Sequence, residues 1–232
     1  MKRSEINNEI RGAVEFFDKM NFKLPEFAHF SVDKMMEIEK KGIAGEIFAA
    51  GMGWDLTDFG LGNFDKTGLL LFTLRNGKVN SSYTKPYAEK IMITKENQLT
   101  PLHFHWSKQE DIINRGGGNL IIEVFNSDKN EGLSDTVVKV SIDGIKYEFK
   151  PGGKIILKPG QSICLTSGMY HRFYGEASKG SVLVGEVSMV NDDTKDNRFY
   201  EPLGRFSEIE EDENPFRVLV QDYQNYSIPK AK

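Results

Sequence analysis

His103 and His105 flank Phe104, four residues separate His105 from Glu110, and a further histidine stands at position 171. The 232-residue chain holds four histidines, so three of them fall in this constellation and His29 alone lies outside it. On a β-strand alternate side chains share a face, which would aim His103 and His105 at one point and turn Phe104 away. Three imidazoles and one carboxylate suit Mn, Fe, Ni, Co or Zn better than Ca or Mg, which prefer shells of oxygen. Four protein ligands also leave coordination positions open to substrate oxygens. Sulfur sites are excluded, because the single cysteine, Cys164, sits in an apolar run between Ile163 and Leu165 and reads as a small buried hydrophobe.

The flanking segments read as strands. Tyr83 to Ile93 is rich in aromatic and branched residues, and Asn119 to Phe125 runs as a strand into a turn at Asn126-Ser127-Asp128. Ser107-Lys108-Gln109 and Gly116-Gly117-Gly118 supply turn chemistry, which brings Glu110 back toward the two histidines. Around His171, a turn at Lys158-Pro159-Gly160 starts a strand through Ile163 to Leu165, Gly168 turns the chain, and His171 opens the next strand. The apolar run from Gly68 to Leu74 closes at Asn76-Gly77, a hairpin signal, and Asp143-Gly144 and Gly152-Gly153 punctuate later strands. Ahead of all these, Ile6, Ile10, Val14 and Phe17 recur at helical spacing, with Ser4 as the expected N-cap. A second helix is capped by Ser31, carries Met35, Met36 and Ile38, and ends near Gly42. His29, in the linker between them, reads as structural. The acidic run Glu208 to Glu213 reads as a solvated segment.

Composition narrows the function classes. Formal charge is −4 and the pI about 5.7, with no basic cluster interleaved with aromatics, so nucleic-acid binding is not expected. No stretch approaches the roughly 20 apolar residues of a membrane span, and one cysteine with no signal core suggests a cytoplasmic protein.

Together, H-x-H-x4-E with Gly116 and Gly117 behind it, and Gly160-x5-Thr166-x-Gly168-x2-His171, resemble the two motifs of the cupin superfamily. Thr166 stands where cupins usually have proline, and Gly175 where the second motif often ends in asparagine; neither is a metal ligand. The resemblance implies an all-β, jelly-roll-like cupin barrel with the N-terminal helices packed outside. A single domain over 1–232 is expected, with a helical segment at 1–45, a barrel core at 65–190 and a polar segment at 191–232.

Longer stretches make the resemblance more specific. Gly53 to Gly62, Tyr87 to Met92, Pro101 to Trp106, Asp111 to Leu120, Val184 to Asp193, Asp196 to Phe199 and Gly204 to Phe206 resemble the bacterial D-lyxose isomerase family over nearly the whole chain. That resemblance implies interconversion of D-lyxose with D-xylulose and of D-mannose with D-fructose. It makes His103, His105, Glu110 and His171 the ligands of a divalent metal, Mn in the first place, with Co, Ni, Fe or Zn as alternatives. It also implies a homodimer.

Such a reaction moves a proton between C1 and C2 of an open-chain sugar through an enediol, whose charge a metal can stabilise. Because Glu110 is a ligand, another group must carry the proton. The segment from Asn191 to Arg205 offers Asp192, Asp193, Asp196 and Glu201; Glu201, between Phe199-Tyr200 and Pro202, is the first choice and Asp193 the second. Lys90 is expected to hold substrate and to place an ammonium near the enediolate. Trp54, Phe104 and Trp106 are candidate walls of a sugar pocket. A hydride shift is a competing mechanism. Two other readings are an Fe(II)-dependent cupin dioxygenase and a sugar-binding cupin without catalysis.

Overall fold

A computed structural model describes residues 1–190, 192 and 195–226. Among the described residues, helix α1 (Arg3–Lys19), a 3-10 turn (Glu26–His29) and helices α2 (Val32–Lys40) and α3 (Gly45–Ala49) lead into thirteen strands. The strands are β1 (Gly53–Thr57), β2 (Leu69–Arg75), β3 (Tyr87–Thr94), β4 (Thr100–His105), β5 (Glu110–Gly117), β6 (Leu120–Asn126) and β7 (Val138–Ile142), then β8 (Ile145–Phe149), β9 (Gly153–Leu157), β10 (Ser162–Leu165), β11 (Met169–Gly175), β12 (Val182–Met189) and β13 (Asn197–Phe199). A short helix α4 (Tyr223–Tyr226) follows. They form two antiparallel sheets, ordered β1-β2-β3-β12-β5-β10-β7-β8 and β13-β4-β11-β6-β9. The architecture is the expected β-barrel with helices outside. It draws β1 and β13 into the sheets from outside the 65–190 core.

Between the sheets, Leu120, Ile122 and Val124 of β6 meet Ile112, Val140, Ile163 and Val184 of the larger sheet. These positions alternate along each strand, as a one-faced apolar pattern requires. Ile6, Ile10, Ala13 and Phe17 line one face of α1 and cover Trp54, Leu56, Phe72, Ile91 and Leu183 on the outside of the same large sheet. Burying each of the larger side chains stabilises the fold by about 1.5–3 kcal/mol relative to exposure. The strands nearest α1 are therefore covered on both faces, and polar groups on their inner face enclose a cavity.

Three local expectations are corrected. Helix α1 begins one residue before Ser4; the Ser4 amide and hydroxyl both donate to the Asp212 carboxylate, at 2.9 and 2.7 Å. A carboxylate from the far end of the chain thus caps the helix. The acidic run is accordingly not a free solvated segment, since Glu211 also pairs with buried Arg3 at 2.6 Å. Asn76-Gly77 does not make a tight hairpin turn: β2 and β3 pair, but residues 76–86 connect them, and the Asn76 side chain donates to Ala50 O at 2.9 Å. By contrast Asp143-Gly144 does form the two-residue turn, both residues having positive φ (49° and 81°). Ser31 caps α2 by accepting from the Lys34 amide at 3.2 Å. Among the described residues, no helix is long and apolar enough to cross a membrane.

Candidate active site

His103 and His105 occupy the inner face of β4, and His171 on β11 is the direct cross-strand partner of His103. The rings of His103 and His171 have centroids 4.3 Å apart, and a ligand nitrogen of each of the three histidines lies within 4.8 Å of the others. His103 Nδ1 is 2.8 Å from Pro101 O, and His171 Nδ1 is 3.0 Å from Met169 O. A carbonyl only accepts, so each Nδ1 carries a hydrogen, and Nε2 is the ring atom each would offer to a metal. Glu110 reaches in from β5 of the facing sheet, its Oε1 3.0 Å from His171 Nε2 and 3.4 Å from His105 Nε2.

The site is buried, which sets its electrostatics. Burial, reinforced by the neighbouring His171 and His105, pushes the His103 pKa well below its usual value, and burial likewise lowers that of His105. Burial alone would raise the Glu110 pKa, but Lys108 and His105 outweigh it and hold the carboxyl well below the usual range. Three ring nitrogens and a carboxylate oxygen thus converge at one buried point. That three-nitrogen, one-oxygen donor set fits a transition-metal ion.

A second layer of charge faces the cluster across one cavity. Lys90 of β3 and Glu186 of β12 are cross-strand partners, with Nζ 3.3 Å from Oε1. Lys108, in the turn between β4 and β5, places Nζ 2.9 Å from the same Glu186 oxygen and 2.6 Å from Glu110 Oε2. All four side chains are at least nine-tenths buried. Arg205 lines the cavity from the C-terminal segment, where Asp55 of β1 holds its guanidinium. Ser207 anchors that segment by accepting from the Asp58 amide at 2.9 Å.

The structure brings His103, His105, Glu110, His171 and Lys90 together at this cavity. It does not bring Glu201, which is exposed and absent from the lining, although Asn197 and Arg205 of the same segment do line the cavity. Asp193 lies outside the described residues. Trp54 and Phe104 are also corrected. Trp54 packs under α1 against Phe17 and Phe72, and Phe104 packs on the outer face of β4 against Tyr170 and half-exposed Trp106. The alternation that aligns His103 with His105 turns Phe104 outward, and Trp54 is turned outward beside inward-facing Asp55. Sequence reasoning missed Glu186, Lys108 and Arg205. Glu186 did leave a signal, as a lone charge within the apolar run Val182-Leu183-Val184-Gly185-Glu186-Val187.

Comparison with known proteins adds independent findings. The family model described as D-lyxose isomerase matches residues 1–223. A D-lyxose/D-mannose isomerase from Serratia proteamaculans is 49% identical over 97% of this chain and 99% of its own length. A protein of the same description from Escherichia coli O157:H7 is 48% identical over 97% of this chain and 100% of its own. Among solved structures, a variant of the L-ribose isomerase of Acinetobacter sp. DL28 in complex with L-ribose superposes with a TM-score of 0.60 at 13% identity, covering 90% of this chain and 98% of its own. The L-ribose isomerase of Cellulomonas parahominis with L-ribose gives 0.55 at 13% identity, over 90% of this chain and 98% of that one. At such identity these likenesses speak for the fold alone.

Proposed function

The chain belongs to the D-lyxose isomerase family, and from that footing we propose that it interconverts D-lyxose with D-xylulose, and D-mannose with D-fructose, by metal-assisted proton transfer. Family membership makes it an aldose–ketose isomerase and sets aside the dioxygenase and the non-catalytic sugar-binding readings. The observation carrying the mechanism is the pair of buried carboxylates facing one cavity, Glu110 beside three histidines and Glu186 beside two lysines.

His103, His105, Glu110 and His171 would hold the divalent ion, which when bound supplies a Lewis acid for the oxygens on C1 and C2 of the open-chain sugar. Glu110 is thereby committed, and Glu186 is the carboxylate placed to move the proton. It takes the C2 hydrogen of the aldose as a proton and delivers it to C1, while the O2 proton passes to O1; atoms balance and nothing is oxidised overall. Lys90 and Lys108, both in contact with Glu186 Oε1, favour its ionised form before the transfer and offer positive charge to the enediolate after it. Arg205, held by Asp55 and lining the same cavity, presents a planar donor fork to sugar hydroxyls. Glu186 is thus favoured over the exposed Glu201 as the proton carrier, and this reading assigns Lys90 the role the sequence suggested.

The test is an isomerisation assay with D-lyxose and D-mannose on protein stripped of metal and resupplied with Mn, Co, Ni, Fe or Zn, run in parallel in deuterated water. Activity that returns with metal, Mn first among them, and solvent deuterium at C1 or C2 of the product support the reading. Full retention of protium would count for a hydride shift and against Glu186 as base.

A further inference from the structure

His105 is the one histidine of the cluster whose Nδ1 is buried without a hydrogen bond among the described residues. His103 and His171 use the carbonyl two residues before them, at Pro101 and Met169. Facing His105 Nδ1, at 3.8 Å, stands Oδ2 of Asp196, itself buried. Strand β13 puts it there, because Asn197 is the cross-strand partner of His105 and Asp196 immediately precedes it. The same carboxylate accepts from the Ser107 amide at 2.8 Å and the Lys108 amide at 3.2 Å, and the Asp196 carbonyl accepts from the Trp106 amide at 3.0 Å. One residue of the C-terminal segment therefore grips the whole turn that joins His105 to Glu110.

We propose that Asp196 is a positioning residue of the metal centre, keeping His105 protonated at Nδ1 with Nε2 toward the ion and holding the turn that aims Lys108 at Glu110. The inference rests on the metal reading above. The gap of 3.8 Å is roughly 0.6 Å beyond the usual N–H···O range, so ring reorientation on ion binding has only a short way to go. A carboxylate behind a ligating imidazole fixes its tautomer and raises its basicity, and loss of such a partner weakens metal binding by about 10–100-fold.

The experiment titrates Mn(II) into metal-stripped wild type and Asp196→Asn protein, reading the free ion by electron paramagnetic resonance, with circular dichroism to confirm folding. Asparagine keeps the size and one acceptor of aspartate but removes the charge. An Asn variant that is folded and binds Mn(II) about 10–100-fold more weakly supports the role. A folded variant with wild-type affinity overturns it while leaving the metal reading intact. Wild-type protein that takes up no Mn(II) overturns the metal reading and this inference with it. Should the variant not fold, long-range 15N–1H spectra of Zn(II)-loaded wild type decide: His105 protonated at Nδ1 and bound through Nε2 supports the proposal, and the reverse tautomer overturns it.

Discussion

Lys90 and Glu186 face each other directly across β3 and β12, with Nζ 3.3 Å from Oε1 inside the cavity. Neither strand's own pattern asks for a buried charge; the pair is tolerated because each offsets the other's desolvation. Glu186→Gln keeps the shape and removes the base. Its kcat is expected to fall by about 10²–10⁴-fold, with Mn(II) content unchanged by elemental analysis. Glu201→Gln, at an exposed position, is expected to keep wild-type kinetics, and the reverse pattern would return the proton transfer to the C-terminal segment.

Removing a ligand acts on metal and activity together. His171→Ala should take up no stoichiometric Mn(II) and show no isomerisation of D-lyxose. Adding Mn(II) at about 100 times its dissociation constant should stabilise the stripped wild type by about 2.7 kcal/mol, readable as a rise in Tm, and should leave His171→Ala unmoved. An active, metal-free His171→Ala protein would overturn the assignment of the site.

Asp55 and Arg205 should behave as one unit. Arg205→Lys loses the planar fork and is expected to raise KM for D-lyxose by about tenfold, close to 1.4 kcal/mol. Asp55→Asn should raise KM in the same direction, because it acts through the guanidinium it holds. The double substitution should cost less than the sum of the two. Additive effects in steady-state kinetics would show that the two residues work separately.

Acid should destabilise the metal-free protein in two stages. His103 and His105 have folded pKa values below their ordinary 6.5, so below about that pH the unfolded chain binds more protons and stability falls with pH. Glu110 is depressed below its ordinary 4.5, so its contribution, present above that value, is lost as pH falls further. Urea midpoints should therefore be flat just above pH 7, decline below about pH 6.5 and decline again below about pH 4.5. His103→Gln should remove part of the first decline; an unchanged profile would refute the assignment.

The clamp between the chain's two ends is testable by stability alone. Arg3 is buried, while its partners Glu211 and Asp222 are half-exposed and buried respectively. Arg3→Ala leaves the Asp222 charge without its cation and should cost about 3–5 kcal/mol in urea unfolding. Glu211→Gln removes only the solvated partner and should cost less than about 1 kcal/mol.

What the sequence determined by itself was whatever depends on short separations. Side chains on a strand alternate by geometry, so His103 and His105 had to converge, and the turn residues before Glu110 brought the carboxylate back within a few positions. The 3.6-residue repeat in α1 likewise marked its buried face. The same rule turned Phe104 away from the pocket, against its candidacy as a pocket wall. Only the tertiary structure decided which carboxylate faces the histidines. Glu186 enters because β12 lies between β3 and β5 in the sheet, at a register that sets it against Lys90 and Ile112. That neighbourhood joins residues far apart along the chain, and no local spacing encodes it. Asp212 on the first turn of α1, Arg205 against Asp55 and Asp196 behind His105 share this origin. In each, a polar side chain of the C-terminal segment is placed by what the packed sheets and helix present to it, and a linear reading sees only a polar tail.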